Sequence, residues 1–545
     1  MIKYINKVRA NRKRLKNHDP NNFATVDAQS TNKVYREEEL EETRLTASLE
    51  QNLSVLEGMI GGNVDLVIRK INIGRSKIKP AVILYFDNLI EPSILDQHIV
   101  RPLVLEVYTS GLHSGPEIIE QLYLGNLITR AELKVIKNFR EIMDGLLIGE
   151  VLLLVEGMDN ALIISSKGYK SRSISEPDAE PVVRGPRDAF VETISTNLSL
   201  IRRRILSPNL VMESLKIGKV TRTKICLAYI RGICPPELVK EVQSRLSRID
   251  IDGILESGYL EEFIKDNPYS PFPLMGVTER PDRASAALLE GRLVIFTDNT
   301  PMVLIVPGEF FSLMQAAEDH YNKFIFATLI RFLRYIAFTM ALLLPASYVA
   351  ITTYHQEMIP TQLLVSIMAT RAGVPLPAFL EALLMEFAFE LLREAGVRLP
   401  RPVGQAVSIV GALVIGQAAV EAAIVSPLMV IVVAVTGIAN FTIPQVNISL
   451  AIRTLRFPLM LMAAFLGLFG VVTGVILILL HMFSLRSFGV PYMTPLSPFK
   501  FSDLKDTLIR APRWTMVNRP SQTTTVSQRM QPQQKPGPRK QGDGA

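Results

Sequence analysis

Three glutamates recur at intervals of four residues in the C-terminal part of the chain: Glu386, Glu390 and Glu394. That interval places their side chains on one stripe of a helix, where like charges repel by about 0.2–0.5 kcal/mol per pair. A water-filled lumen that attracts cations would offset the repulsion, because carboxylates within a membrane usually line an ion path. A helix lying among lipid headgroups explains the same spacing equally well.

The residues just before these glutamates form a second polar stripe. Gln362, Ser366 and Thr370 are also four apart, on an otherwise apolar segment. The whole stretch 360–396 therefore predicts a pore-type helical hairpin, and the polar side chains of both stripes are candidates for lining the pore. Glu381 falls on the opposite side of the helical wheel and is excluded from the stripe.

Apolar segments surround this hairpin and predict a polytopic transmembrane domain over residues 320–490. A helix of about 20 apolar residues spans a bilayer, and the candidate spans are 335–354, 403–424, the shorter 427–444, and 457–483. Glu421 lies within one of them, so its carboxylate must pair or face a cavity. Gly467, Gly470 and Gly474 are small enough to let helix backbones meet closely.

The number of crossings stays open at four or five. Five crossings place a group of arginines on the cytoplasmic side but leave the basic C-terminal tail outside. Four crossings keep the tail inside but leave those arginines away from the cytoplasmic side. The arginines concerned are Arg393, Arg398, Arg401, Arg453 and Arg456.

The region before the membrane block alternates strand-like and helix-like segments, which predicts an α/β fold. Residues 145–165 align without a gap with residues 287–307, and the strand AVILYF aligns with ICLAYI. We infer two copies of one strand–helix–helix–hairpin module, in subdomains 46–185 and 186–310. The fold class is thus a duplicated N-terminal α/β region followed by a polytopic α-helical transmembrane domain.

A helix between the two copies ends in three arginines, Arg202, Arg203 and Arg204. Cations at a helix C-terminus interact favourably with its dipole, so capping and solvation explain them. The functional alternative is a ridge that contacts a neighbouring subunit.

Composition and the termini bound the function further. The formal charge is +7, and 20% of residues are charged although the apolar residues are clustered, which favours a membrane over nucleic acid as the partner. Residues 1–45 predict a flexible basic arm without a signal-peptide core, and 491–545 predict a basic, disordered tail. Cys226 and Cys234 have no metal-type spacing, and no nucleotide-binding or hydrolase motif appears, so neither enzyme activity nor a cofactor or metal is expected.

Several stretches of this sequence resemble one known family. They are RGPRDAFVETISTNLSLIRRRI, TERPDRASAALLEGRLVIFTDNTP, EDHYNKF, the long run from IPTQLLVSIMATRAG to AAIVSP, and FTIPQ. From about residue 50 to 495 the chain resembles the A subunit of GerA-type spore germination receptors. The paralogue SpoVAF shares this core, and the long tail favours the receptor subunit.

The resemblance implies a multi-pass protein of the inner spore membrane with its N-terminal domain in the cytoplasm. It implies a homo-oligomeric ring, similar to a pentameric channel, which passes monovalent cations when a nutrient binds. The implied partners are a transporter-like B subunit, a lipoprotein C subunit and membrane lipid. A secondary transporter for a small solute or ion is the alternative, since broken helices would suit it, although no inverted repeat is found among the spans.

Overall fold

The computed structural model describes residues 34–35, 37–73, 79–106, 133–165, 176–400, 416–500, 503–520 and 524. The chain divides into an N-terminal unit, formed chiefly by residues 1–265 and 277–307, and a C-terminal unit, formed chiefly by 266–276 and 308–517. Most of the predicted basic arm, much of the predicted span 403–424 and the end of the predicted tail lie outside the described residues.

The first half of the N-terminal unit is a five-stranded antiparallel sheet in the order β1-β2-β4-β5-β3. Alternate side chains of β2 enter separate apolar clusters on the two faces, with Leu84 on one and Ile83 on the other, as the two-residue period of a strand requires. Its elements are α1 (Glu37–Glu42), α2 (Leu49–Ile60), β1 (Leu66–Ile73), β2 (Lys79–Phe86), α3 (Pro92–Leu95), β3 (Leu133–Ile136), α4 (Phe139–Leu147), β4 (Glu150–Val155) and β5 (Ala161–Ser165).

The second half repeats this arrangement, with the sheet order β6-β7-β9-β10-β8. The strands that correspond in order also agree closely in length, and the ungapped alignment places α8 over α4. Shared topology of this kind supports the duplication hypothesis. The elements are α5 (Ile194–Arg204), β6 (Leu210–Ile217), β7 (Thr223–Ile230), α6 (Pro236–Ser247), α7 (Ser257–Ile264), β8 (Gly276–Thr278), α8 (Pro281–Leu289), β9 (Leu293–Thr297) and β10 (Val303–Val306).

A buried asparagine occupies the same place in both halves. The side chain of Asn52 accepts from the backbone N–H of Thr46 at 2.9 Å and donates to the carbonyl of that residue at 2.6 Å. Asn197 makes the same two bonds with Val191, at 2.8 and 2.6 Å. Each asparagine thus fixes the chain entering its helix, because it satisfies two backbone groups six residues upstream.

The C-terminal unit is helical. Its elements are α9 (Phe310–Leu313), α10 (Phe324–Tyr354), α11 (Thr361–Arg371), α12 (Ala378–Arg398), α13 (Pro427–Phe441), α14 (Val446–Ser484), β11 (Arg486–Ser487) and β12 (Val490–Pro491). Among the described residues, α10 and α14 are long and apolar enough to cross a membrane, and α13 is a shorter apolar helix.

The helix α14 is not one straight span. Gly467 has a non-helical backbone with φ 60° and ψ −142°, and a Cβ on Gly474 would lie 2.4 Å from Leu459. Those two residues would be about 22 Å apart in a continuous helix, so the chain reverses at Gly467 and residues 468–484 pack back on the preceding segment. The single span predicted over 457–483 is therefore wrong, and the predicted close packing at these glycines is present within one hairpin.

Contacts also fix the direction of each helix. Tyr354 donates to the carbonyl of Ala464 at 2.8 Å, and Arg456 donates to the carbonyl of Ala341 at 2.8 Å. The first part of α14 therefore runs parallel to α10, and its second part returns. Segment 503–510 packs beside the start of α10, where Thr328 contacts Arg510, so this unit begins and ends at the same end of α10.

Candidate functional site: a glutamate and arginine ladder

The hairpin predicted over 360–396 consists of α11 and α12, separated by a short turn. Pro375 and Pro377 prevent one continuous helix because proline lacks the backbone donor and clashes with the preceding turn. Pro377 stands at the N-cap of α12, the end at which a helix tolerates proline. The glutamates of α12 then face residues of α11, α13 and α14.

Glu386 is buried in an ion pair with Arg456 of α14. The two side chains are 1% and 2% exposed, and Arg456 Nη1 lies 2.6 Å from Glu386 Oε2. Arg456 Nε donates to the carbonyl of Ala341. The second oxygen of Glu386 and the Nη2 of Arg456 have no hydrogen-bond partner among the described residues.

Further ion pairs follow along α12. We call the series formed by Glu381, Glu386, Glu390 and Glu394 with their partners the ladder, and each pair a rung. Glu390 lies 3.2 Å from Arg453 and 3.2 Å from Arg393, while the exposed Glu394 pairs with Arg398 one turn later on the same helix. Within the described chain Glu386 and Glu390 are therefore engaged by arginines, and the prediction that they line a pore stays a prediction. The repulsion along the stripe is relieved by opposite charges on α14.

Glu381, which the helical-wheel argument excluded, is fully buried and forms the first rung. Its Oε1 accepts from Arg371 at 3.0 Å, and its Oε2 accepts from the backbone N–H and the hydroxyl of Ser426 at 3.0 and 2.8 Å. Ser426 is the N-cap of α13, so this carboxylate satisfies the exposed donor and favourable dipole at a helix N-terminus. It ties the α11–α12 turn to α13.

The other predicted stripe, on α11, is exposed. Gln362, Ser366 and Thr370 are all exposed, and no residue of α11 is buried. The hydroxyl of Thr370 donates to the carbonyl of Ile367 at 2.9 Å, as hydroxyls on a helix often do. The ladder thus holds α12, while α11 presents its polar stripe away from the described helices.

Glu421 is exposed near the end of a helical stretch at 416–421. The amide of Gln417 donates to its carboxylate at 2.8 Å. The expected partner for this carboxylate is therefore a neutral amide one turn earlier.

The three arginines at the end of α5 are in different environments. Arg202 is 1% exposed and makes a two-bond contact with Asp65, at 2.7 and 2.9 Å. Arg204 pairs with Asp188, and Arg203 is exposed. The charge of Arg202 thus joins the two halves of the N-terminal unit, and the contact of these arginines with a neighbouring subunit stays a prediction.

A separate buried network anchors the start of α10 and includes the Asp319 of the EDHYNKF stretch. Arg334 and Arg331 lie 2.9 and 3.1 Å from Asp319, and Arg331 also pairs with Asp506 at 3.0 Å. Burial alone would raise the pKa of the Asp319 carboxyl, but the hydrogen bonds and charges of these arginines outweigh it and lower that pKa. Protonation of Asp319 in acid would therefore break these ion pairs.

Neither a metal-type cluster nor a reactive thiol is found among the described residues. No cluster of histidine, cysteine and carboxylate side chains that could hold a metal occurs among them. Burial raises the pKa of Cys234 to about 12 and that of Cys226 well above its usual value, so both thiols stay protonated and unreactive at neutral pH.

Comparisons with known proteins point in one direction. The family model for the Bacillus/Clostridium GerA spore germination protein matches residues 54–522. Spore germination protein KA of Bacillus subtilis is 47% identical over 477 residues, which is 87% of this chain and 87% of that protein.

The chain belongs to the GerA spore germination protein family.

Other similar proteins include the uncharacterised membrane protein YfkQ of B. subtilis, 44% identical over 89% of this chain and 93% of that protein. The crystal structure of the N-terminal domain of the A subunit of the Bacillus megaterium spore germinant receptor GerK3 is 35% identical. It covers 49% of this chain and 98% of that chain, with a TM-score of 0.39. The family model and the match to protein KA confirm the predicted family resemblance.

For this GerA family member, sequence reasoning identified the hairpin but missed its partners. Arg453 and Arg456 entered only as topology markers, and Arg371 and Ser426 were not considered. A usable signal existed: arginines three residues apart between apolar segments match glutamates four residues apart on another helix, since both intervals lie on one helical face. Such a match indicates neutralisation of one stripe by the other.

Proposed function

We propose that this chain is the A subunit of a spore germinant receptor, which assembles as a homo-oligomeric ring and forms a nutrient-gated cation channel in the inner spore membrane. The observation that carries the proposal is α11, an eleven-residue helix without a buried residue whose Gln362, Ser366 and Thr370 form one exposed polar stripe. Uncharged oxygen and amide groups suit the passage of monovalent cations, because they replace water without trapping the ion.

The ladder positions this helix. Glu381 joins Arg371, the last residue of α11, to the N-terminus of α13, and Glu386 with Glu390 joins α12 to α14. Neighbouring copies would cover the remaining faces of α11. Closed rings are the usual way for identical subunits to enclose a path.

We propose an even number of crossings. The contact of Asp506 and Arg510 with the start of α10 supports placing the chain after α14 on the same side of the membrane as the residues before α10. Pairing of Arg453 and Arg456 with glutamates removes the need to place these arginines in the cytoplasm. We propose a multi-pass protein with both the N-terminal unit and segment 503–510 in the cytoplasm.

The proposed partners are a transporter-like B subunit that binds the nutrient, a lipoprotein C subunit and membrane lipid. Arg203 and Arg204 stay candidates for contact with a neighbouring subunit, since they are exposed and partly exposed at the end of α5. Glu394, half-exposed at the far end of α12, stays a candidate for the vestibule of the path.

A secondary transporter is the second candidate, and the reversal at Gly467 favours it, because transporters often bind solutes where helices are broken. The repeated order of strands, however, occurs in the N-terminal unit and not among the described helices. A repeat confined to the water-soluble part supplies no alternating-access machinery.

Full-length chain purified in detergent, and then reconstituted in liposomes with its B and C subunits and the nutrient, separates the two. A ring channel predicts an oligomer mass of several copies and a K⁺ flux that rises linearly with the gradient. A transporter predicts saturable uptake of a solute. A monomer without K⁺ flux would overturn the channel proposal.

A further inference from the structure

A groove of about 910 Å³ runs beside the first turns of α10 and belongs to neither the ladder nor α11. One wall is the start of α10, and the other is formed by residues of segment 510–514, including Trp514. Phe324 meets the Trp514 ring edge-on, with centroids 6.1 Å apart. Grooves of this volume hold ligands of the size of a drug or a lipid segment.

The polarity of α10 is inverted at the groove. Ile325, Leu329 and Phe332 are 70%, 64% and 60% exposed, whereas Arg331 and Arg334 point inward to Asp319. A helix exposed to water would show the opposite pattern. The exposed face therefore fits an apolar medium.

The length of α10 places this face at the edge of a bilayer. The helix has 31 residues, about 46 Å at 1.5 Å per residue, while the hydrocarbon core is about 30 Å thick. The part without charges, from Tyr335 to Tyr354, fills that core. The turns that line the groove then lie at the headgroups, where tryptophan is also enriched.

Three basic side chains stand at the same groove: Lys323, Arg510 and Arg513. Within the described residues none of them has an ion-pair partner. Arg510 is 6% exposed, its Nη groups donate to the carbonyls of Ala511 and His320, and its Nε has no hydrogen-bond partner among the described residues. A buried guanidinium with an unused donor has room for one further acceptor, and its positive charge favours an anionic one.

We propose that this groove binds one anionic phospholipid, whose phosphate contacts Arg510, Arg513 and Lys323 while an acyl chain lies along Leu329 and Phe332. The charge and the apolar wall together select this ligand, since a free phosphate would use the arginines only. The proposal rests on the membrane placement proposed above and is independent of ion conduction.

Trp514 is the single tryptophan of the chain and reports occupancy directly. Full-length protein in mixed micelles is titrated with phosphatidylglycerol carrying brominated acyl chains, which quench tryptophan on contact, and in parallel with brominated phosphatidylcholine. We expect saturable quenching at a lower mole fraction of phosphatidylglycerol. Arg513→Gln and Lys323→Gln should each raise the half-quenching mole fraction about fivefold, whereas the exposed control Arg486→Gln should not change it.

Equal quenching by both lipids, or no effect of Arg513→Gln and Lys323→Gln, would overturn the lipid site. Inorganic phosphate that protects against the quencher at millimolar concentration would assign the groove to a free anion and also overturn it. Extraction of the chain from membranes by carbonate without detergent would instead contradict the membrane placement, so the two failures are distinguishable.

Discussion

The N-terminal and C-terminal units each bury an arginine–carboxylate pair, and the two pairs differ in how completely they are satisfied. Arg202 donates hydrogen bonds to both oxygens of Asp65 and to Asn63 at 3.0 Å, and it lies 4.2 Å over the Phe86 ring. In the C-terminal unit the contact of Arg456 with Glu386 is a single bond. Each arginine leaves one nitrogen without a partner in the described part of the chain, Nη1 of Arg202 and Nη2 of Arg456. The carboxylates differ: both oxygens of Asp65 are engaged, whereas one oxygen of Glu386 has no partner among the described residues.

The difference indicates two roles. A two-bond contact with a further acceptor, Asn63, and an aromatic face fixes one geometry, so the Arg202–Asp65 pair acts as a permanent connection between the two halves of the N-terminal unit. A single bond with an unused carboxylate oxygen is easier to exchange for another partner, which suits the helix movements of the proposed channel. Buried charges repay their desolvation only where geometry is complete.

The largest expected effect on stability comes from breaking the Arg202–Asp65 pair. Arg202→Ala leaves Asp65 buried without its partner, and we expect a loss of about 3–5 kcal/mol in the free energy of unfolding of the N-terminal unit. Denaturant titration of the full-length protein in detergent measures it. The exposed neighbour Arg203→Ala should stay within about 0.5 kcal/mol of wild type, and equal effects of the two variants would contradict this connection.

A smaller effect is expected from Glu386→Gln, which keeps an acceptor oxygen but removes the charge facing Arg456. We expect a loss of about 1.5–3 kcal/mol, the worth of a hydrogen bond to a charged group, read as a lower midpoint of denaturation in detergent. Glu394→Gln, the surface rung, is the matched control and should cost less than about 0.5 kcal/mol.

Combining Glu386→Gln with Arg456→Met should recover part of that loss, because no buried charge is then left alone. Strict additivity of the two substitutions would show that the residues do not interact and would remove the ladder from the account.

The smallest expected effect appears only in acid. The pKa of Asp319 is lowered from the usual 3.8, so its ion pairs contribute stability above that pH, and the contribution is lost as pH falls through the lowered pKa. Below pH 3.8 the thermal midpoint of the wild type should fall more steeply than that of Asp319→Asn. Glu357→Gln, at an exposed carboxylate, should retain the wild-type slope, and parallel slopes for all three would refute the assignment.

Much of the architecture could be predicted from local pattern. The ungapped alignment of two hairpins predicted the repeated module, because strand alternation and turn glycines are signals that depend only on residues close together in the sequence. The buried clamps of Asn52 and Asn197 were missed, since nothing in a six-residue interval separates a backbone clamp from a surface asparagine.

The ladder could not be predicted in the same way. Glu386 and Arg456 are 70 residues apart in the chain, and a helical wheel describes only one helix at a time. It therefore assigned Glu386 to a lumen and discarded Glu381, although both are held by other helices. The reversal at Gly467 was hidden for a related reason: an apolar segment of 27 residues can be one span or two shorter helices, and composition is the same for both.

In the proposed channel, the polar stripe of α11 lines the cation path. Cys226 and Cys234 are buried, so single cysteines at Gln362, Ser366 or Thr370 can be modified selectively by a charged thiol reagent in proteoliposomes that contain the chain with its B and C subunits. We predict block of cation flux at these positions and little block at Met368→Cys, which lies about 160° around the helix from Ser366 and is likewise exposed. Block at Met368→Cys that equals or exceeds block at the stripe, or no block at any stripe position, would contradict it.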